Sequence, residues 1–413
     1  MRILNVTETY APFLEFGGPP VKVRALAEGL ARRGHTVNVL TADWGLEKRL
    51  HDRSETDLQT QGWDRSPFGW RHNGGGVQSI YLPSWFRYRT LSWNPAVKRY
   101  CRARLQNFEL VHIFGMYDLL GPPVAAAARA GGIPYVIEPI GMFVPIVRNV
   151  WLKRLYHSFM GRRLFAGASA VVATSELEAG ELATAGVARH KIVLRRNGVE
   201  PPEALPIRGN FRSTLGIPEQ ARVILFLGRL SMKKNPELLL QAFSHLPERM
   251  GENTLTLVFA GPDDGGMRQK LALEASRLGL SARVKFSGPL FAQDKWAAYR
   301  DADVFVLPSQ NENFGNTAAE AIAAGTPVVV TEQCGIAPLL KDIAGLVVAH
   351  DAASLTDALQ RLLADSRLHA QFAAACAELT ARLGWEQPVN EMESLYSRLI
   401  TAPHSGAEPR SVE

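Results

Sequence analysis

Short apolar runs alternate with segments of helical periodicity along most of the chain. Continuous apolar runs bounded by turn residues are typical of strands buried on both faces of a parallel sheet. The intervening segments repeat apolar positions every three or four residues, as amphipathic helices do. The alternation predicts an α/β protein whose sheets are covered by helices. The predicted strands are 3–7, 35–41, 110–114, 135–137, 170–173 and 192–194, then 223–228, 256–260, 284–286, 304–307, 328–330 and 345–348.

The strand pattern restarts at Val223, after the turn-rich and Pro-rich segment Asn197–Pro202. A break of this kind suits a connection between domains. We therefore expect two doubly wound, Rossmann-like domains facing each other across a central cleft, formed by residues 1–200 and 201–384. The polar tail 403–413 is predicted to be disordered.

Two glutamates, Glu312 and Glu320, stand on either side of a short loop near the end of the second half. The preceding run 304–307 predicts a buried strand, and the Ala-rich run 318–324 predicts a helix. Glu312 would thus emerge at the carboxyl end of a parallel strand, where open α/β sheets bind ligands, and Glu320 would follow on the helix. Because each carboxylate accepts several hydrogen bonds, such a pair suits vicinal sugar hydroxyls. The alternative is that both side chains are simply solvated.

A cationic segment follows the first strand of the second half, and it contains Gly228, Arg229 and Lys234. At a strand's carboxyl end and before a helix, an arginine fork and a mobile ammonium can bind a phosphate. The alternative is a surface loop with ordinary basic residues. In the first half, the sequence Phe16-Gly17-Gly18-Pro19 permits close backbone approach to an anion but lacks the GxGxxG pattern. That disfavours a dinucleotide-dependent dehydrogenase.

Neither a metal nor a cofactor is expected. Asp301-Ala302-Asp303 is a DxD sequence, but it lies between a predicted helix and strand, where a capping or turn role is favoured. The Arg/Lys pair could neutralise a leaving diphosphate without a metal. The cysteines Cys101, Cys334 and Cys376 are scattered, which argues against a zinc site or a disulfide framework and for a reducing compartment.

The chain is modestly basic, with a formal charge of +6. Many cations fall in two stretches, Arg87–Arg104 and Arg148–Arg163, and apolar residues interleave the second stretch. That stretch predicts either a helix buried in its own domain or a basic amphipathic helix on a membrane surface. No nucleic-acid-binding module is recognised. The chain passes from Met1-Arg2 into a strand and has no long apolar run, so we expect a cytoplasmic protein, with peripheral membrane association left open.

These motifs together resemble glycosyltransferase family 4, the retaining GT-B enzymes that use nucleotide-activated sugars. The resemblance rests on Gly17-Gly18, Arg33-Gly34-His35, Asn197-Gly198-Val199, Gly228-Arg229-Leu230 with Lys234, and the Glu312/Glu320 pair around Phe314-Gly315. It extends from Arg2 to about Ile400. It implies that the final helix, 385–402, packs back on the N-terminal, acceptor-side domain, and that the second domain binds the donor.

The resemblance also implies a role for each candidate residue. Arg229 and Lys234 would bind the donor diphosphate, Glu320 the ribose, and Glu312 a hydroxyl of the transferred sugar. His112 would hydrogen-bond the sugar near the reacting carbon, although a core histidine is the alternative. The further donor-binding residues would be Gly17, Gly18, Gly228, Phe314, Gly315 and Asn316. Asn313 departs from the glycine common in the family after the first glutamate, which leaves the fit of the donor sugar open.

The expected activity is retaining, metal-independent hexosyl transfer from a nucleotide sugar to a glycan or a lipid-linked sugar, in surface polysaccharide biosynthesis. As in the family, the leaving phosphate would deprotonate the acceptor on the same face of the sugar. A nucleophilic carboxylate for double displacement cannot be placed from the sequence. The rival interpretations are a sugar-nucleotide 2-epimerase and a catalytically silent sugar-binding protein.

Overall fold

The chain forms two compact units. A computed structural model describes residues 1–14, 17–44, 49–88, 91–143, 156 and 160–402. Unit 1 comprises Met1–Arg196 together with the chain from Trp385 onward, and unit 2 comprises Asn197–Gly384. The chain therefore leaves unit 1 after Arg196 and returns to it at Trp385.

Unit 1 contains a nine-stranded sheet in the order β11-β10-β9-β8-β1-β2-β5-β4-β3. The strands from β11 to β5 pair in parallel, whereas β4 pairs antiparallel with both β5 and β3. A separate antiparallel pair is formed by β6 and β7. The bounds are β1 Arg2–Thr7, β2 Thr36–Ala42, β3 Trp63–Ser66, β4 Gly69–Gly74, β5 Val77–Leu82, β6 Phe86–Tyr88, β7 Leu91–Trp93, β8 Leu110–Phe114, β9 Tyr135–Glu138, β10 Ala170–Ala173 and β11 Ile192–Leu194.

Unit 2 contains a seven-stranded sheet in the order β13-β14-β12-β16-β17-β18, with β15 also paired to β14. All of its pairings are parallel except that of the short β13 with β14. The bounds are β12 Arg222–Leu227, β13 Arg249–Met250, β14 Asn253–Ala260, β15 Val284–Gly288, β16 Val304–Leu307, β17 Val328–Thr331 and β18 Gly345–Val348.

Helices cover both faces of each sheet, and apolar side chains fill the space between the layers. The α-helices of the described residues are α1 Gly18–Arg32, α2 Glu55–Thr60, α3 Ala96–Arg104, α4 Gly121–Ala130, α5 Arg162–Ala166, α6 Glu176–Thr184, α7 Asn210–Thr214, α8 Pro236–Ser244, α9 Met267–Arg277, α10 Ala292–Asp301, α11 Asn316–Ala323, α12 Ala337–Leu340, α13 Ala352–Ala364, α14 Ser366–Arg382 and α15 Glu386–Thr401. Short 3₁₀ helices are Leu50–Asp52, Leu105–Asn107, Arg189–Lys191 and Met232–Lys234.

The final helix α15 packs against α1 within unit 1. The two helices approach closely at Gly29, where an added Cβ would lie 2.6 Å from Cγ2 of Val389. Arg33 at the end of α1 forms ion pairs with Glu386 and Glu393, and Nε2 of His35 lies 2.7 Å from Glu393. These contacts give structural roles to the Arg-Gly-His segment, so part of the family-like motif serves to attach the last helix.

The predicted α/β class is confirmed with two mainly parallel sheets, and antiparallel strands occur at their edges. The antiparallel strands β3 and β4, together with the β6–β7 pair, were not predicted, because their residues are mixed polar and apolar rather than continuously apolar. The predicted basic helix at 148–163 lies largely outside the described residues. Nowhere in the described ranges is a helix long and apolar enough to cross a membrane.

Candidate functional site

The segment that carries Arg229 begins where β12 ends, at a close contact between two loops. The Gly228 N–H donates to the carbonyl of Ala260 at 2.9 Å. An added Cβ on Gly261 would lie 1.9 Å from the Gly228 carbonyl oxygen, so only glycine fits at that position. Arg229 follows on the exposed surface. Within the described part of the chain, its guanidinium makes no hydrogen bond or ion pair, which leaves its donors available to a ligand.

Lys234 ends the 3₁₀ turn that follows and directly contacts the Glu312 carboxylate. Glu312 is fixed by its own backbone, since its N–H donates to the Gln333 carbonyl at 2.9 Å and its carbonyl accepts from Gly335 at 2.8 Å. The two side chains remain 23% and 15% exposed, respectively. The pair is therefore held in place but accessible to a ligand.

Burial lowers the pKa of Lys234 to about 8, and the nearby cations Lys233 and Arg229 act in the same direction. The nearby Cys334 acts in the opposite direction and raises this pKa. An approaching phosphate would do the same. At pH values near 8, a bound ligand can therefore change the fraction of Lys234 that is charged.

The loop after Glu312 leads into helix α11 through Gly315. Gly315 has φ 105°, and an added Cβ would lie 3.0 Å from Ile336, so both its conformation and its packing favour glycine. Phe314 is buried in the core of unit 2. The Asn316 side chain accepts a hydrogen bond from Nδ2 of Asn197 at 2.9 Å. Phe314 thus anchors the loop, while Gly315 lets the chain turn into the helix.

Glu320 lies on α11 and is held by two residues of α10. Its carboxylate oxygens accept from Nζ of Lys295 at 2.7 Å and from the Tyr299 hydroxyl at 2.8 Å. The Glu320 side chain is 18% exposed, and burial raises the pKa of Tyr299 well above its ordinary value. The tyrosine is therefore a neutral hydrogen-bond donor that orients the carboxylate.

Unit 2 thus brings together several of the residues expected to bind a donor. Arg229 and Glu312 follow β12 and β16, which are neighbouring parallel strands whose carboxyl ends meet at one edge of the sheet. Lys234 joins the two segments through its contact with Glu312. The supporting residues Lys295 and Tyr299 were not predicted, and a periodic helix pattern contains no signal that identifies them.

His112 lies on β8 in unit 1 and is completely buried. Its Nδ1 lies 2.6 Å from the Tyr396 hydroxyl, and its ring centroid is 3.8 Å from that of Phe114. Burial lowers the pKa of His112 to about 3. The ring is therefore neutral at ordinary pH, and its predicted contact with the transferred sugar stays a prediction.

A buried ionic cluster adjoins His112 and was missed by sequence reasoning. The Glu138 carboxylate contacts Nζ of Lys22 at 2.7 Å and the guanidinium of Arg195, and all three side chains are nearly or completely buried. Burial alone would raise the pKa of Glu138, but Arg195 and Lys22 hold it at about 2. A glutamate at the end of the apolar run Tyr135–Ile137 was the available sequence signal.

The glycine pair of unit 1 lies at the start of α1. Gly17 has φ 94° and precedes the first helical residue, Gly18. Among the described residues, no atom outside its chain neighbours lies within 4 Å of an added Cβ on Gly17. The geometry is compatible with a backbone anion site, and the predicted phosphate contact of both glycines stays a prediction.

The DxD carboxylates have structural partners. Asp301 accepts from the N–H groups of Gly209, Phe211 and Arg212 at the start of α7, at 2.6 to 3.1 Å. Asp303 pairs with Arg212 and Arg222. The predicted capping role is confirmed for Asp301, on the N-terminus of a helix distant in sequence.

The models of two sequence families match the chain. The description "Glycosyl transferases group 1" matches residues 208–378, and "Glycosyl transferase 4-like domain" matches residues 17–198. The first match lies within unit 2 and contains the Arg229, Lys234, Glu312 and Glu320 constellation. The second lies almost wholly within unit 1.

Similar curated proteins include D-inositol 3-phosphate glycosyltransferases. The protein from Corynebacterium urealyticum is 38% identical over 206 residues, which cover 49% of each chain. The chain thus spans about half the length of the first such relatives. The protein from Xylanimonas cellulosilytica is 34% identical over 411 residues, which cover 92% of each. The chain belongs to the glycosyl transferases group 1 family. The predicted family is confirmed.

Solved structures support the fold of this family member. Sucrose-phosphate synthase from Thermosynechococcus elongatus superposes with a TM-score of 0.74 at 21% identity, over 98% of this chain and 100% of that chain. HepE from Anabaena, in complex with UDP and glucose, gives 0.73 at 19% identity over 96% and 99%. The predicted GT-B class, built from two Rossmann-like units, is confirmed.

Proposed function

We propose that this glycosyltransferase performs retaining, metal-independent hexosyl transfer from a nucleotide sugar whose diphosphate binds to Arg229 and Lys234. The observation that carries the proposal is the Lys234–Glu312 pair, which lies beside the available Arg229 guanidinium at the ligand-binding edge of the unit 2 sheet. A fork-shaped cation and a point charge suit a diphosphate.

The contact between Lys234 and Glu312 suggests how binding and chemistry are coupled. A diphosphate that takes over the Lys234 ammonium releases the Glu312 carboxylate to accept a hydroxyl of the donor sugar. As the glycosidic bond breaks, negative charge grows on the leaving phosphate, where Arg229 and Lys234 stabilise it. The leaving phosphate then accepts the proton of the acceptor hydroxyl, and the new bond forms on the same face of the sugar.

Glu320 is proposed to bind the ribose of the donor nucleotide. Its two oxygens accept from Lys295 and Tyr299, and lone pairs remain for vicinal hydroxyls because each carboxylate oxygen accepts more than one hydrogen bond. HepE was solved with UDP-glucose, which makes that nucleotide sugar the first donor to test.

Two acceptor classes are proposed. The names of the curated relatives support a phosphorylated polyol such as D-inositol 3-phosphate. A glycan or lipid-linked sugar at the cytoplasmic face of a membrane, in surface polysaccharide assembly, is the other. WaaG, a glycosyltransferase of lipopolysaccharide biosynthesis, has a similar fold.

The decisive experiment combines a panel of uridine, guanosine and adenosine diphosphate sugars with both acceptor classes, with and without a chelator. Release of nucleoside diphosphate together with a glycosylated product of unchanged anomeric configuration, insensitive to the chelator, is the expected result. Inversion of configuration or dependence on a divalent cation would overturn the corresponding part of the proposal.

Two other outcomes would replace the proposed function. Conversion of the donor sugar at C2 without transfer would indicate a 2-epimerase. Donor binding without any turnover across the panel would indicate a sugar-binding protein.

The variant Lys270→Ala is a matched control for Lys234→Ala, since Lys270 is an exposed cation of unit 2 that pairs with Glu237.

A further inference from the structure

Three large aromatic side chains lie exposed on one small element of unit 1. We call this element the aromatic ribbon; it consists of Trp85 and the antiparallel strands β6 and β7. Trp85, Phe86 and Trp93 are 71%, 55% and 50% exposed, respectively. Phe86 pairs directly with Trp93 across the strands, and the Trp85 and Trp93 ring centroids are 5.6 Å apart. Clustered exposed apolar side chains mark a surface that meets something other than water.

The ribbon is held firmly to the main sheet of unit 1. The buried Asn94 donates to the carbonyls of Leu82 and Pro83, at 3.1 and 3.3 Å, and to the Ser84 hydroxyl at 2.8 Å. The Trp85 N–H donates to the Trp93 carbonyl at 3.0 Å, which closes the base of the ribbon. Because an isolated two-stranded ribbon is marginally stable, this attachment is what keeps the aromatic rings in position.

The sequence of the ribbon and of the helix that follows it is rich in cations. The segment Trp85–Arg104 contains six arginine or lysine residues and no aspartate or glutamate. Helix α3 begins three residues after Trp93, and its side chains Lys98 and Arg102, one helical turn apart, are both exposed. The surface therefore combines aromatic rings with a positive field that attracts an anionic partner.

A pocket of about 410 Å³ connects the two features. Trp85 and Arg99 both line it, together with Arg65. Trp85 and Arg99 therefore line one concave site, and the Arg99 guanidinium also donates to the carbonyl of Pro67, another residue of the lining. Such a site suits a phosphate headgroup whose glycerol and acyl carbons contact the ring.

We propose that the aromatic ribbon inserts into the headgroup region of an anionic phospholipid surface, with Lys98, Arg99 and Arg102 binding the lipid phosphates. Tryptophan favours this interface because its ring is apolar and its N–H is polar. The perpendicular packing of Trp85 against Trp93, at 74°, does not present parallel faces on which nucleic-acid bases would stack. The inference rests on the membrane-surface part of the proposed function and identifies the residues responsible.

The test measures cosedimentation of the full chain with phosphatidylcholine vesicles, with and without phosphatidylglycerol, and in the absence of nucleotide. We expect binding only with the anionic lipid, lost on addition of salt. The triple variant W85A/F86A/W93A should weaken it at least about tenfold, as should K98Q/R102Q. Phe291→Ala, which removes a 54% exposed ring from unit 2, and K341Q/R367Q, which removes two exposed unit 2 cations, should leave binding unchanged.

Insertion is tested separately from adsorption. Brominated lipids should quench tryptophan emission in the wild-type protein, and W85F/W93F should lose most of that quenching while it still sediments with vesicles. Equal binding to neutral vesicles, full binding by the triple variant, or unchanged quenching in W85F/W93F would overturn the proposal. So would self-association, or competition by a single-stranded oligonucleotide, that depends on the same aromatic residues.

Failure of this proposal is distinguishable from failure of the proposed function. Turnover of a nucleotide sugar with a soluble acceptor is measured without vesicles, and the triple variant should retain it. Transfer of sugar without binding to anionic vesicles would support the proposed activity and contradict only the proposed membrane surface.

Discussion

Lys234 and Glu312 are 78 positions apart in the sequence and in direct ionic contact in unit 2. The contact joins the segment after β12 to the segment after β16, so each holds the other at the edge of the sheet. Neither side chain is fully buried, and a bound diphosphate could replace Glu312 as the partner of Lys234. The pair is therefore both a structural link and the point at which a donor would enter.

Replacing Lys234 or Arg229 with alanine should lower turnover at least tenfold, which corresponds to about 1.4 kcal/mol of transition-state stabilisation. The Lys234 ammonium is charged below its pKa of about 8, so kcat/KM should fall as the pH rises above that value. Lys234→Arg keeps the charge at all accessible pH values and should remove this decline. A decline that persists in Lys234→Arg would assign it to another group.

Glu312 and Glu320 should differ in their effects on binding of free nucleoside diphosphate. Glu320→Ala removes the proposed ribose ligand and should weaken that binding, as measured by calorimetry. Glu312→Ala leaves the nucleotide contacts intact and frees Lys234 from its carboxylate, so binding should be no weaker while transfer is impaired. Equal loss of nucleotide affinity in both variants would contradict this division of roles.

Tyr299→Phe should weaken nucleotide binding without changing the fold, because it removes only the hydrogen bond that orients Glu320. A hydrogen bond of this kind contributes about 0.5–1.5 kcal/mol, and up to about 3 when the partner is charged. The effect should vanish in a Glu320→Ala background, which calorimetry on the double variant can measure. Tyr135→Phe, which removes a hydroxyl that donates to the Leu164 carbonyl in unit 1, is the matched control. Additive losses would mean that Tyr299 acts independently of Glu320.

The buried His112 should make the protein less stable in acid. Its pKa is about 3 in the folded protein and near the ordinary 6.5 when unfolded, so the unfolded chain binds the proton first. Stability should therefore fall as the pH drops from about 6.5 toward 3, by up to about 1.4 kcal/mol per pH unit. Glu138 has a pKa of about 2 in the folded protein and an ordinary pKa of 4.5. Its protonation therefore reduces the stability further only below about pH 4.5.

The variant His112→Gln isolates this effect. Urea unfolding between pH 6.5 and 4.5 should give a shallower pH dependence for the variant than for the wild type. Identical slopes would show that the ring is not held neutral in the core. Turnover of the same variant, measured at neutral pH, tests the separate prediction that His112 hydrogen-bonds the transferred sugar.

The sequence predicted most of the buried parallel strands, with the exception of β5, but did not predict the contacts between them. The run Val304–Leu307 gave the bounds of β16, because Asp303 and Pro308 limit it on either side. Strands such as β4, which contains His72, lack a continuous apolar run and were not predicted. Half-exposed edge strands carry too little periodic signal over so few residues.

The residues of the candidate site were likewise predicted only in part. Glycine, arginine and carboxylate types at strand ends could be recognised, because their chemistry depends on the local chain. The Lys295 and Tyr299 contacts to Glu320 depend on how α10 packs against α11, which no local pattern specifies. The Glu138 cluster likewise joins α1, β9 and the residue after β11, three segments far apart in sequence.

The return of helix α15 to unit 1 also has a consequence for the order of folding during synthesis. Tyr396, the hydrogen-bond partner of His112, follows it by 284 positions, and Glu386 and Glu393 follow their ion-pair partner Arg33 by 353 and 360 positions. Unit 2 is continuous and is translated in full before α15 leaves the ribosome. Until α15 emerges, nascent unit 1 therefore lacks the helix that packs against α1 at Gly29, and a ribosome stalled shortly before Trp385 would leave this face of α1 uncovered.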